Sequence, residues 1–336
     1  MDTVTHIVLG ACIGEAVAGQ QLGKRALFLG AIAQSVPDID FLGAFFLSTS
    51  NNLLAHRGIT HSILFSVIAT WCLAKFCAWY FRKNKIAART WILLFSINIF
   101  THIFIDSFNA YGTGWFEPFS HRRFSFHTIF VADPLFSVWP FIACVALTYL
   151  KISYTKRKIW WQSAIVLCFA YLAYTNINKL IIDKAVKKLI GEEKLIEENY
   201  FTTPSPFNSI LWFVTIKSRN GYFAGYHSVF DKDSKMKLNF YPQNDSLLLN
   251  VTDTTEAKAI LNFAEGFYTL ERWHDTTVLN VLRFGQVVGW YDANEKFVFH
   301  YFLDKPGANK LVTQRGRFER WNEETLESLW WRIRGN

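Results

Sequence analysis

A chain of 336 residues has room for two domains, and 51% hydrophobic with 18% charged residues reads as only mildly apolar on average. The net charge of +8 would suit nucleic acid or an acidic membrane surface. The basic residues sit largely in short loops between apolar stretches, however, which favours a role in membrane topology over nucleic-acid binding.

The average hides a split. Residues 1–178 carry the long apolar runs, 179–206 read as an amphipathic helix and linker, and 207–336 read as a soluble domain. Cys12, Cys72, Cys77, Cys144 and Cys168 all lie in apolar stretches without a CxxC pair, so they are expected to pack as small hydrophobes. The first apolar stretch lacks a basic leader and begins with Asp2 and His6, and is expected to be retained.

Crossing the hydrocarbon core takes about 20 mostly apolar residues in a helix. Six stretches qualify as candidates: 4–20, 26–47, 62–81, 91–108, 134–150 and 159–178. The first is short, Gly-rich and interrupted by Glu15, and Pro37 is predicted to break the second just before Asp38. Lys24, Arg25, Arg82, Lys83, Lys85, Arg89, Lys151, Lys156, Arg157 and Lys158 fall in the loops of one side, against Arg57, Arg122 and Arg123 on the other. The positive-inside rule then places both termini, and the C-terminal domain, outside the cytoplasm in a multi-pass membrane topology.

Ionisable residues punctuate these stretches in four clusters: Asp2/His6, Asp38/Asp40, His56/His61 and His102/Asp106. Each such group costs about 2.5–3.5 kcal/mol on insertion and calls for a partner. In the six-span topology all four clusters fall at a similar depth near the outer surface. Spacing of four puts His102 with Asp106, and Asp2 with His6, on one helix face. His56 and His61 need a loop at Gly58 and a helix starting near Thr60, and Asp38 and Asp40 converge only if Pro37 leaves irregular backbone. Imidazole and carboxylate without thiolate suit a divalent metal: zinc, with manganese or iron as alternatives, as one ion or a bridged pair. Such an ion would polarise a substrate and activate water. The plainer reading of any single pair is an interhelical hydrogen bond or a proton relay.

The loop at 109–133 adds Asn109, Tyr111, Thr113, His121, Arg122, Arg123, His127 and Asp133. Arg57, Arg122 and Arg123 could grip a phosphate or carboxylate, with His121 beside them, or contact lipid headgroups.

Taken together, Asp2-x-x-Thr5-His6, Pro37-Asp38-Ile39-Asp40, His56-Arg57-Gly58-Ile59-Thr60-His61-Ser62, Thr101-His102-x-x-x-Asp106 and Asn109-Ala110-Tyr111-Gly112-Thr113 resemble the membrane-bound metal-dependent hydrolase family typified by the inner-membrane protein YdjM. The resemblance covers about the first 150–180 residues. It implies an integral membrane protein using a divalent metal, with His6, Asp38, Asp40, His56, His61, His102 and Asp106 as metal-site residues. The Pro204-Ser205-Pro206 to Trp212 segment is similar to one in longer family members.

Beyond residue 206, aromatic and β-branched runs at 209–217, 222–230, 236–241, 278–284, 286–291 and 296–302 predict strands, with turns at 283–286 and 292–295 and a helix near 254–268. His227, His274 and His300 lack metal-type partners in sequence, and the end bearing Arg317, Arg320, Trp321, Trp330, Trp331, Arg332 and Arg334 suits either a membrane surface or packing under the sheet. The expected fold is an α-helical polytopic membrane bundle followed by a small α+β domain with an antiparallel sheet. The expected function is hydrolysis of an ester or phosphoester in a lipid-linked or amphiphilic substrate. In this reading Asp38 or Asp40 bridges metals or acts as base, and Arg57 steadies developing negative charge. The alternatives are a metal-ion or proton-coupled transporter and a structural protein with a metal-stapled bundle.

Overall fold

The computed structural model describes residues 1–193, 199–232, 236–251, 253–309 and 320–335. The chain divides into two compact units: residues 1–43, 55–174 and 206–208 form one, and 44–54, 175–205 and 209–336 form the other.

The first unit is helical: α1 (Thr3–Leu22), α2 (Arg25–Ser35), a 3-10 helix (Pro37–Phe45), α4 (Ile63–Tyr80), α5 (Ala88–Asp106), α6 (Pro134–Tyr149) and the start of α7 (Arg157–Glu192). The short helix α3 (Thr49–Ala55) falls mostly in the second unit. By length and composition α4, α5 and α7 can each cross a membrane, and α2 with the 3-10 helix makes a fourth as a span broken by 52°. The bend falls at Pro37, whose ring cannot continue the i→i−4 ladder. Two of the six expected spans are weaker: α6 is apolar but only 16 residues long, and α1 is diluted by Glu15, Gly10, Gly14 and Gly19. The span expected to end at 178 and the amphipathic helix expected after it form one helix, α7, which runs to Glu192.

Glycine in α1 and α2 has a packing reason. A Cβ on Gly14 would lie 2.1 Å from the Ala26 carbonyl oxygen, and one on Gly30 would lie 2.1 Å from that of Gly10. Small residues therefore let the two backbones meet, the usual device where lipid offers no hydrophobic drive between helices. Trp91, Leu94, Phe95, Ile99 and Ile103 of α5 fill the main apolar core with Ala18, Ala26 and Ala33. At the opposite end from the His/Asp clusters, buried Glu15 of α1 meets Arg157 of α7, with Arg157 Nε donating to Glu15 Oε1 at 2.7 Å. Arg157 also donates to the carbonyls of Leu147 and Leu150 at the end of α6.

In the second unit the strands form two antiparallel sheets among the described residues. One has order β1 (Tyr200–Pro204), β2 (Leu211–Ser218), β3 (Gly221–Ser228), β4 (Leu238–Pro242), and the other β5 (Tyr268–Trp273), β6 (Thr276–Gln286), β7 (Phe297–Phe302). Trp212, Val214 and Ile216 of β2 pack against Ile182, Val186, Leu189 and Ile190 of α7. Leu211 and Phe213 face the other way, toward Leu282, Phe297 and Leu329. This is the period-2 alternation of a strand buried on both faces. Among the described residues this unit also holds α8 (Thr254–Ala264) and α9 (Glu323–Ile333), beside α3 and the end of α7.

Three expectations are corrected. The run at 286–291 is a turn, because Gln286 Nε2 donates to the carbonyls of Ala293 and Glu295 and closes the β6–β7 connection. The turn expected at 283–286 is the end of β6, with a register shift between Val281 and Gln286. The segment at 179–206 holds the end of α7 and strand β1. At the chain end, Trp321 packs against Trp290, whereas Trp330 and Trp331 are exposed with the Arg334 guanidinium stacked on both; Arg317 lies outside the described residues.

Helix α9 is held by one ion cluster. Arg332 donates to both Asp231 carboxylate oxygens at 2.6 and 2.7 Å, and His227 Nδ1 lies 3.0 Å from the second. Burial opposes the charge on Asp231, but the His227 and Arg332 contacts outweigh it and hold the carboxyl well below its usual range. Asp231→Asn is expected to cost this unit about 2 kcal/mol, the scale of hydrogen bonds to charged groups. Because the folded carboxyl is depressed, the contribution is complete above roughly pH 4 and lost as pH falls further. Thermal unfolding followed at pH 7 and pH 3 checks both: the variant's deficit at pH 7 should shrink at pH 3.

Candidate metal centre

Four acceptor-bearing side chains from three elements converge: Asp38 of the 3-10 helix, His61, and His102 and Asp106 of α5, each offering a ligand atom within 4.8 Å of the others. Among the described residues they are the one such group of three or more His, Cys, Asp or Glu. The rings of His61 and His102 and the Asp106 carboxylate are fully buried, and Asp38 is 26% exposed at the mouth.

Each element delivers its residue for a local reason. Spacing of four on α5 stacks His102 over Asp106 on one face, as expected. The bend at Pro37 turns the following residues into a 3-10 helix, so Asp38 and Asp40 reach opposite nitrogens of one ring. Asp38 Oδ1 lies 3.8 Å from His61 Nε2, and Asp40 Oδ2 lies 3.7 Å from His61 Nδ1. His61 ends a 3-10 turn (Ile59–His61), and α4 begins only after Ser62, whose hydroxyl accepts from Phe65 N–H. The helix start thus falls three residues later than the sequence suggests, at Ile63 rather than near Thr60. Arg57 adopts the left-handed region (φ +58°), unusual for a long side chain, and its N–H donates to Asp40 Oδ2 at 2.6 Å.

The tautomers follow from the partners. His102 Nδ1 faces the Gln34 carbonyl oxygen, which only accepts, so Nδ1 carries the proton and Nε2 of the neutral ring presents a lone pair. His61 Nδ1 faces the Asp40 carboxylate, with Thr60 Oγ1 at 3.1 Å, which favours the same tautomer. The two Nε2 atoms nevertheless lie 3.1 Å apart. Asp38 Oδ1 sits 3.4 Å from His102 Nε2, and Asp106 Oδ2 sits 3.5 and 3.6 Å from the two nitrogens. Asp106 Oδ2 has no hydrogen-bond donor; Arg57 Nε lies 3.1 Å away as an ion pair, but its N–H is misaligned. Lone pairs and carboxylates pressed together in a buried space repel unless a cation lies among them. A proton shared by the two rings would satisfy the nitrogens and leave the Asp106 oxygen orphaned. A divalent ion satisfies all four, and two imidazoles with two carboxylates form an ordinary zinc, manganese or iron donor set.

The other predicted residues surround this core. His6 stacks on His102 with ring centroids 3.7 Å apart, and its Nε2 lies 3.1 Å from Asp106 Oδ1. The Met1 amino group also contacts Asp106 Oδ1. His56, 37% exposed, pairs with Asp40 Oδ2 at 3.1 Å. Arg57 is buried, donating to Asn109 Oδ1 at 2.7 Å and to the Met1 carbonyl at 3.4 Å, with Tyr111 against its guanidinium. Arg123 donates to the His56 carbonyl, Arg122 stacks on Phe124, and His121, 87% exposed, pairs with Glu117. Asp133 caps α6 by accepting from Leu135 N–H, and Tyr171 donates to it. In the other unit, His227 belongs to the α9 clamp and the His300 ring contacts the Phe297 carbonyl.

Apolar spans around a buried His/Asp centre define an intramembrane protein with a candidate metal site. The family described as YdjM inner membrane protein matches residues 1–182, and the chain belongs to that family. Inner membrane protein YbcI of Escherichia coli (strain K12) is 32% identical over 123 residues, which span 36% of this chain and 69% of YbcI. YfhP of Bacillus subtilis (strain 168) is 28% identical over 239 residues, 67% of this chain and 68% of YfhP. No solved structure matches.

Proposed function

We propose that this inner-membrane protein is a metal-dependent hydrolase acting on an ester or phosphoester of an amphiphilic or lipid-linked substrate. Six spans carry the chain, with the centre and the C-terminal domain on the extracytoplasmic side. The convergence of Asp38, His61, His102 and Asp106, with two imidazole nitrogens facing each other at 3.1 Å, carries the reading. These four residues would hold the ion. A bound divalent ion supplies Lewis-acid polarisation and lowers the pKa of water.

The remaining groups divide the work. Asp40 is fixed by the Arg57 N–H and His56, while its Oδ1 is buried without a donor, which suits a proton acceptor beside the centre. Asp38, at the mouth, can serve as ligand and also face an entering substrate. Arg57 turns its two terminal nitrogens to Asn109 and the Met1 carbonyl and its charge to Asp106, so its part is to hold the carboxylate. Substrate anion contact would fall to Arg122, Arg123 and His121, of which Arg123 is tied to the His56 carbonyl. The locked Glu15–Arg157 pair supports an enzyme over a transporter, because it neutralises the charges a through-path would use.

Asp40→Asn is expected to lower hydrolysis of a long-chain p-nitrophenyl ester or phosphoester by 100-fold or more, in the range of a lost general base. Bound metal should remain. Equal turnover in the variant would remove Asp40 from the chemistry, and absence of turnover in the wild type on every ester class would sink the hydrolase reading.

A further inference from the structure

A cavity of about 420 Å³ lies in the helical unit between α1, α5, α6 and α7. Leu9, Ile13, Phe136 and Cys168 form its buried floor, and Phe100 and Phe169 stand exposed at its rim. Apart from the Thr101 hydroxyl and the Cys168 thiol, its lining is hydrocarbon. None of the four converging ligands lines it. The two features are nonetheless served by successive residues: Thr101 and Ile105 face the groove while His102 and Asp106 face the centre, and Leu9 lies one turn along α1 from His6.

Its length is informative. On α1 the lining runs from Leu9 to Val17 and on α5 from Ile105 back to Ile97. Both correspond to about 12 Å at a rise of ~1.5 Å per residue. On α7 it runs from Leu172 back to Ile165, a little over ~10 Å. On α1 and α5 the groove therefore runs from beside the His/Asp centre along the helices for nearly one leaflet, about half of the ~30 Å hydrocarbon core.

We propose that this groove seats one hydrocarbon tail of the amphiphile whose head enters the His/Asp centre, so that the substrate is a lipid of the leaflet on the centre's side. The head assignment rests on the hydrolase reading; the tail assignment does not. Lipid tails are as apolar as the lining, so the groove gains little from hydrophobicity and holds a tail by packing. Its consequence is positioning: a seated tail fixes where the head lies, which separates lipid esters from soluble ones.

The test uses full-length protein in phosphatidylethanolamine/phosphatidylglycerol vesicles containing phosphatidylglycerol with a mid-chain diazirine. After photolysis, label should concentrate on Phe104, Cys168 and Phe169 at least tenfold over Ile68 and Phe141, which are exposed and lie outside the groove. Ala16→Phe, which fills the groove from α1, should remove that excess. Ile97→Trp provides the same block from the rim should the first variant misfold. Even labelling, or labelling unchanged in the correctly folded variants, overturns the proposal. Turnover of long-chain and acetyl p-nitrophenyl esters is followed in parallel. Groove labelling without turnover of either ester leaves the tail site standing and rejects the hydrolase reading, whereas equal turnover of both with even labelling rejects the tail site alone.

Discussion

Asp106→Asn is expected to remove bound metal and to destabilise the helical unit together. Asp106 stands against the Met1 amino group, His6, Arg57, His61 and His102. An amide in its place keeps the shape and deletes the charge, leaving the buried Arg57 guanidinium uncompensated. Breaking one side of a buried pair costs about 3–5 kcal/mol. Losing a carboxylate from the candidate ligand set adds the loss of the ion's own contribution to folding. The measurement is thermal unfolding in detergent with and without chelator. Wild type should fall on chelation, and Asp106→Asn should start lower and respond to chelator not at all.

Arg157→Met is expected to destabilise the same unit by a similar amount, about 3–5 kcal/mol, with metal content untouched. Glu15 and Arg157 are both nearly fully buried, and Glu15 Oε2 has no second donor. Removing the arginine strands a carboxylate between α1 and α7. The double variant Glu15→Gln/Arg157→Met should recover most of the loss, since a buried pair replaced as a whole is far less costly than one that is broken. Together the two experiments separate charges that hold a cation from charges that only hold helices. Chelator should shift the melting of Arg157→Met as it shifts the wild type, and leave Asp106→Asn where it is.

Part of the centre was legible because helical spacing is a sequence property. His102 and Asp106, four apart, share one face of α5, and of the seven residues expected to meet, Asp38, His61, His102 and Asp106 bring ligand atoms within 4.8 Å of one another. Pro37 foretold the broken backbone that lets Asp38 and Asp40 address two nitrogens of His61. The Gln34 carbonyl that orients His102 was not legible, since any residue carries a carbonyl and only the α2–α5 packing selects this one. The neighbours of Arg57 were equally hidden, because a sequence shows a cation without its partners; Asn109, the Met1 carbonyl and Asp106 stand against it.

The second unit was harder for equally local reasons. Strand β1 contains Pro204 and lies in the segment expected as a linker, yet β1 is an edge strand, where a missing N–H leaves no ladder bond unmade. Val287, Val288 and Trp290 have strand-like composition, but the Gln286 side chain closes a turn there, a contact between residues seven and nine apart that no local pattern announces.

The central claim is that a cation holds Asp38, His61, His102 and Asp106 together, and elemental analysis of detergent-purified protein tests it most directly. One or two divalent ions per wild-type chain, bound through nitrogen and oxygen by X-ray absorption and absent from both His61→Ala and His102→Ala, is the predicted result. A folded wild type without stoichiometric metal, or variants that retain it in full, would contradict the account.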